Sequence, residues 1–122
     1  MAVRLSVWGL KKLVSQRPAV ADVPIIIERE KPISAKDAIS LRITGFFPMP
    51  TESQLWLLTE EYYKYLLSKP GPHPVIYRFC LDGKTSYTYE ELLKEVENRT
   101  ALGRELMMAY AKFREQILKW MR

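Results

Sequence analysis

The chain ends in LGRELMMAYAKFREQILKWM, residues 102–121, and this stretch decides the fold. Its apolar side chains recur at steps of three or four residues, at Leu102, Leu106, Tyr110, Phe113, Ile117 and Trp120. Because an α-helix has about 3.6 residues per turn, this spacing predicts a long C-terminal helix over residues 101–121 with one apolar stripe. Such a stripe is stable only when it is covered, either by this chain or by another one.

The composition predicts a globular protein. The chain has 122 residues, of which 48% are hydrophobic, and this length suits one domain with a radius of gyration of roughly 14 Å. No apolar run approaches the ~20 residues that a membrane-spanning helix needs. We therefore predict a single α+β domain over residues 1–122, dominated by helices, with a short antiparallel β-hairpin and no transmembrane segment.

Charge is distributed unevenly along the chain, whose formal net charge is +5. Residues 1–21 contain four basic residues and no acidic residue, and residues 99–122 contain six basic and two acidic residues. The segment between them is acidic, with nine basic and twelve acidic residues. The basic ends could attract a polyanion, or they could dock on the acidic middle of the same or a neighbouring copy.

Capping signals divide the rest of the chain into helices. Thr51 with Gln54, and Thr88 with Glu91, are capping boxes, because each pair can satisfy free N–H groups of a first helical turn. They predict helices over residues 51–69 and 88–98, the second of which ends before the C-terminal helix begins. A similar pair near residue 34 predicts a third helix that is stopped at Gly45, although the apolar residues there also alternate as in a strand.

The remaining segments carry signals for strands and turns. The first residues predict a short strand or arm that leads into a basic helix over about residues 5–16. The three isoleucines of residues 25–27 predict a short strand that ends at Pro32. Residues 75–87 predict the hairpin, since Asp-Gly at 82–83 suits a type I′ turn. Residues 46–50, rich in phenylalanine and proline, predict an apolar loop without regular structure.

No pattern in the sequence points to catalysis, a metal or a cofactor. The single histidine, His73, and the single cysteine, Cys80, are too few for a zinc site, and a nucleophilic pair between them would need a coincidence of folding. The glycines form no phosphate-binding loop. Paired glutamates lie where helix surfaces are expected. We therefore predict that the protein is not an enzyme and binds no cofactor or small molecule.

The compartment is indicated only by cysteine content and by the first residues. One cysteine excludes an internal disulfide and is compatible with a reducing compartment, which favours the cytoplasm. The acid-free segment of residues 1–21 also has the amphipathic character of an organelle transit peptide. An organelle matrix is therefore the alternative prediction.

Function is predicted from the excess of tryptophan, tyrosine and methionine, which are enriched at protein interfaces. A domain of this size cannot easily bury three tryptophans and a second apolar stripe. We predict a small subunit or adaptor that contacts a protein partner or a second copy. The expected contact residues are Tyr110, Phe113, Ile117 and Trp120, followed by Phe46, Phe47 and Met49.

The alternative function is nucleic-acid binding by the basic ends, although no known nucleic-acid-binding motif accompanies them. The terminal helices could place their basic side chains along a phosphate backbone. The candidates are Lys11, Lys12, Arg17, Lys112 and Lys119, with Arg104, Arg114 and Arg122 beside them.

Overall fold

The computed structural model describes residues 2–69 and 87–121 and has a helix-dominated α+β fold that ends in a long helix. The first half contains β1 (Ala2–Leu5), α1 (Val7–Gln16), a short 3-10 helix (Pro18–Val20), β2 (Pro24–Glu28), β3 (Lys31–Ser34), α2 (Ala35–Ser40) and β4 (Gly45–Pro48). The second half contains α3 (Glu52–Ser68), α4 (Tyr89–Glu97) and α5 (Ala101–Trp120). The fold class predicted from the sequence is confirmed. None of these helices is both long and apolar enough to cross a bilayer.

The predicted helix starts are confirmed, because the caps form as the sequence suggests. Helices α2, α3 and α4 each begin with a complete capping box, at Ser34, Thr51 and Thr88. Helix α5 is capped by Thr100, whose hydroxyl accepts a hydrogen bond from the N–H of Gly103 at 3.0 Å. The predicted break between the last two helices is therefore also confirmed.

Helix α2 is much shorter than predicted, since it ends at Ser40 instead of Gly45. The N–H of Ile43 donates to the carbonyl of Ala38 and the N–H of Arg42 donates to that of Ile39, which is the Schellman pattern of helix termination. Arg42 takes the left-handed position with φ 56°. A non-glycine residue thus stops the helix, and the sequence signal at Gly45 was misleading.

Strands β2 and β3 form an antiparallel hairpin, so the prediction that Pro32 ends the strand is wrong. Pro32 lies inside β3 opposite Ile27, and a hairpin strand with an outer edge tolerates the missing N–H of proline. The turn holds Arg29 and Glu30, with φ 49° and 64°. Two consecutive positive φ values in a two-residue connection define a type I′ turn.

The type I′ turn carries side chains that disfavour its conformation. Replacing Arg29 by asparagine together with Glu30 by glycine is expected to stabilise the protein by about 1 kcal/mol, because both new residues adopt positive φ more readily. Urea unfolding followed by circular dichroism measures the difference. The opposite change, Arg29→Val, should destabilise the protein, because a β-branched residue disfavours positive φ. Equal stability of the wild type and both variants would show that the turn is not type I′ in solution.

Residues 45–48 form β4, so the prediction of an irregular apolar loop is wrong for residues 46–48 and is confirmed only for residues 49–50. Strand β4 pairs antiparallel with β1, with Leu5 opposite Gly45 and Arg4 opposite Phe46. Pro48 lies at the last paired position, opposite Ala2, where a proline does not interrupt a ladder. The pairing joins residues forty or more positions apart in sequence, which local patterns do not reveal.

The hairpin predicted at residues 75–87 falls almost wholly outside the described residues, as do His73 and Cys80. Of that segment the structure describes Tyr87, which is buried. The described hairpin is therefore the one formed by β2 and β3.

Two apolar clusters make up the interior, and α5 contributes to both. The first cluster combines α1, β2, α2 and the end of α5, with Leu10, Ile25 and Ile117 among its sealed side chains. The second combines α3, α4 and the start of α5. Tyr62 packs against both clusters and stacks on Tyr110, with ring centroids 5.5 Å apart.

Candidate functional site

The apolar stripe of α5 is covered by the chain itself. Tyr110 is 2% exposed and Ile117 is 0% exposed, so the folded chain itself buries these two predicted contact residues. Phe113 and Trp120 are half-buried and pack against the first cluster. The guanidinium of Arg17 lies 4.0 Å from the ring centroid of Trp120 and covers it further. Helices α1, α3 and α4, together with strand β2, supply the cover that the sequence left open.

Exposed apolar surface is found instead near the start of the chain. Six large hydrophobic side chains of the described residues are exposed, and all except Met108 belong to α1, the end of α2, or β4 and the residue after it. Trp8 is 66% exposed and Phe46 is 73% exposed. We call this surface the N-terminal face, and its members are Val7, Trp8, Leu41, Phe46 and Met49.

An open groove between α1 and α2 includes one member of the N-terminal face, Val7, in its lining. The groove has a volume of about 350 Å³. Its lining residues are Val7, Leu10, Lys11, Ala38, Ile39, Arg42 and Thr44. Along the chain, Thr44, Phe46 and Pro48 are exposed and alternate with the half-buried Gly45 and Phe47. Alternate residues of a strand lie on opposite sides. Phe46 therefore lies on the outer side of the sheet with Thr44 and Pro48, whereas Phe47 packs inward on the first cluster.

Basic side chains surround this face. The guanidinium of Arg4 lies 5.9 Å from the ring centroid of Phe46, and the ammonium of Lys12 lies 4.9 Å from that of Trp8. Lys11 and Arg42 line the groove, and neither forms an ion pair with another described residue. Basic side chains therefore lie against two aromatic rings of the N-terminal face and line the groove that includes Val7.

The basic candidates for nucleic-acid contact are placed differently from one another. Arg104 donates a hydrogen bond to Glu52 at 2.8 Å, and Arg17 covers Trp120. Lys112 and Lys119 are exposed on α5, and Lys11 is exposed on α1. Several of these charges are already engaged within the chain, and nucleic-acid binding stays a prediction.

Arg114 was counted among the surface cations, but the structure buries it. Arg114 is 7% exposed, and its Nε donates a hydrogen bond of 2.6 Å to the carbonyl oxygen of Ile25. Between Pro24 and Ile26 the register of the hairpin shifts, so Ile25 has no paired residue on β3. Arg114 thus satisfies a carbonyl that the bulge leaves outside the ladder. One turn earlier, the hydroxyl of Tyr110 donates to the carbonyl of Pro24.

Burial affects the titration of both side chains. Desolvation raises the pKa of the Tyr110 phenol, which keeps its hydroxyl a donor. Desolvation also lowers the pKa of the Arg114 guanidinium, against the opposing influence of Tyr110 and Glu115. Arginine starts from a pKa so high that the guanidinium stays charged near neutral pH. The interior therefore holds a positive charge.

A small open pocket adjoins Arg114. The space in it that is open to water-sized atoms is about 40 Å³. It is lined by Leu5, Ile26, Ile27, Phe47, Pro48, Pro50, Gln54, Arg114 and Leu118. Among these residues only Gln54 and Arg114 have polar side chains. The pocket is therefore apolar with one charged group and one amide.

The sequence contained a signal for the burial of Arg114 that its charge obscured. It follows Tyr110 by four residues and precedes Ile117 by three, so it belongs to the covered stripe of α5.

Within residues 2–69 and 87–121, no group of three histidine, cysteine, aspartate or glutamate side chains is arranged to hold a metal ion.

Comparisons with protein-family models, with curated proteins and with solved structures give no match. The fold and its side chains define a helix-dominated α+β protein with an exposed apolar face and a buried arginine beside a pocket. Function is therefore argued from these two features.

Proposed function

We propose that the chain is a non-catalytic protein-interaction module, a small subunit or adaptor that binds a protein partner or a second copy through the N-terminal face. The observation that carries the proposal is the concentration of exposed large apolar side chains there, with Trp8 and Phe46 foremost. Tryptophan, phenylalanine and methionine supply much of the binding energy of protein interfaces when a partner removes them from water. The proposed contact surface is therefore this face and not the stripe of α5 that the sequence suggests.

The charges around the face restrict the partner. Lys11 and Arg42 flank the apolar groove without forming an ion pair with another described residue, so a complementary surface would be apolar with acidic residues at its edge. The acidic side chains of another protein supply this chemistry. The lone cysteine of the sequence suits the cytoplasm as the place of assembly.

The proposal predicts a native mass above that of one chain. At natural abundance, the wild-type protein should migrate in a complex heavier than its own 14.3 kDa. Trp8→Ser together with Phe46→Ser should release the chain as a monomer, because both changes remove apolar contact area without touching the interior. Size-exclusion chromatography with light scattering and immunodetection measures the mass.

Met108→Ser is the matched control, since Met108 is also exposed but lies on α5 and is not a member of the N-terminal face. This variant should keep the native mass of the wild type. Far-ultraviolet circular dichroism should be the same for all three proteins. A wild-type protein that migrates at 14.3 kDa, or a double variant that stays in the complex, would contradict the proposal.

A further inference from the structure

We propose that the pocket beside Arg114 binds a carboxylate that is attached to a small apolar group. The starting point is the buried positive charge of Arg114. A charge that is removed from water is stable only when other groups replace its hydration. Within residues 2–69 and 87–121, no carboxylate lies within ion-pair distance of this guanidinium.

The contact with β2 uses only part of the guanidinium. Nε donates to Ile25, whereas the two terminal nitrogens carry four further N–H groups. No side-chain nitrogen or oxygen of the described residues is both sealed from solvent and without a hydrogen-bond partner. Among the described residues the structure shows no acceptor for the terminal nitrogens of Arg114, and since Arg114 lines the pocket we infer that these nitrogens are open to it. The hydrogen bond to the carbonyl of Ile25 therefore uses only the Nε–H of Arg114. The N–H groups of the two terminal nitrogens remain for a ligand in the pocket.

A planar fork of N–H groups fits a carboxylate through two parallel hydrogen bonds. Gln54 adds another donor on the pocket wall, because its Oε1 accepts from the N–H of Thr51 and its amide nitrogen remains available. One cation and one amide together match a single negative charge with two oxygens.

The size and the walls of the pocket select the kind of anion. At about 10–15 Å³ for each water-sized atom, the open space holds about three such atoms, which is the size of a carboxylate group. Leucine, isoleucine, phenylalanine and proline side chains form the rest of the lining. A phosphate carries oxygens on every side, which these apolar walls would leave without donors. Because the carboxylate group fills this space, the apolar part of the ligand would lie at the open mouth of the pocket, against the lining residues Phe47, Pro48 and Pro50.

Two sources supply this chemistry, a free small carboxylic acid and the terminal carboxylate of a protein chain that ends in an aliphatic residue. The pocket shares no residue with the N-terminal face. The inference therefore does not depend on the proposed function, and either can fail alone.

The test uses isobutyrate as the probe and the Nε–Hε signal of Arg114 in two-dimensional ¹⁵N NMR spectra as the readout. This signal should shift saturably with isobutyrate and should not shift with isobutyramide, which has nearly the same shape without the charge. Absence of a shift with isobutyrate would overturn the proposal, as would an equal response to inorganic phosphate. A short peptide ending in valine that binds more tightly than isobutyrate, and loses binding when its terminus is amidated, would identify a chain terminus as the source. Equal or weaker peptide binding would identify a free acid.

Gln54→Glu provides a variant that keeps Arg114 and the fold. Glutamate suits the capping box of α3 as well as glutamine does, and it places a competing carboxylate on the pocket wall. Affinity for isobutyrate should fall roughly tenfold or more through like-charge repulsion. Gln116→Glu, the same change at an exposed position of α5, should leave the affinity unchanged. Equal affinities of the two variants would overturn the assignment of the pocket.

Discussion

Replacing Ile117 by alanine is expected to lower the free energy of unfolding by about 2 to 5 kcal/mol. Ile117 is 0% exposed and belongs to the first apolar cluster, between α1, β2 and the end of α5. The substitution removes buried apolar atoms and leaves a cavity, because neighbouring elements relax only partly. Equilibrium unfolding in urea, followed by tryptophan fluorescence, measures the loss.

Met108→Ala is the control for Ile117→Ala, since Met108 is exposed on the same helix. Its effect should stay within about 0.5 kcal/mol. A loss below about 1 kcal/mol for Ile117→Ala would contradict the burial of the stripe by the chain itself, because a fully buried isoleucine does not tolerate truncation so well.

Replacing Gly103 by alanine is expected to destabilise the protein by about 1 to 3 kcal/mol, although alanine is normally the better helix former by about 1 kcal/mol. A Cβ atom at this position would lie 2.8 Å from the carbonyl carbon of Glu95 and 3.1 Å from the Cα of Val96. Both of these atoms belong to the backbone of α4, which cannot move aside as a flexible side chain can. The carbonyl of Glu95 also accepts the N–H of Thr100 in the helix-ending pattern of α4.

Ala109→Gly is the control for Gly103→Ala, because Ala109 is exposed in the middle of α5. It should lose about 1 kcal/mol by helix propensity alone. At position 103 glycine should therefore be preferred, and at position 109 alanine. Thermal and urea unfolding of both variants measure the two effects, and a stabilised Gly103→Ala protein would show that α4 and α5 do not approach so closely.

Local chemistry made the helices predictable from the sequence. A threonine or serine followed three residues later by a glutamate, glutamine or aspartate marks α2, α3 and α4, and each signal involves residues within one turn. The spacing of the apolar residues in α5 acts over the same short range. These elements needed no knowledge of the rest of the chain.

Strand β4 and the end of α2 were not predictable in this way. Strand β4 exists because Phe46 and Phe47 meet the distant strand β1, and pairing overrides the irregularity that the prolines suggest. Helix α2 ends at a left-handed arginine, Arg42, where glycine is the usual signal.

The candidate sites depended on burial, which the sequence did not supply. Periodicity showed that Tyr110 and Ile117 need cover, but it could not show that α1, β2 and α3 provide it. Phe46 and Met49, predicted as secondary contact residues, are exposed, whereas Phe47 is turned inward. Arg114 was assigned to the surface by its charge alone, although its position in the stripe placed it inside.

The claim that the stripe of residues 102–121 is covered from within one chain has a direct test in the Trp8→Ser, Phe46→Ser protein, which lacks the proposed docking residues. Its urea unfolding is measured at two protein concentrations about a hundredfold apart. A chain that covers its own stripe unfolds with the same midpoint at both concentrations, because no association is linked to folding. A midpoint that rises with concentration would show that a second copy completes the core, and it would contradict the claim.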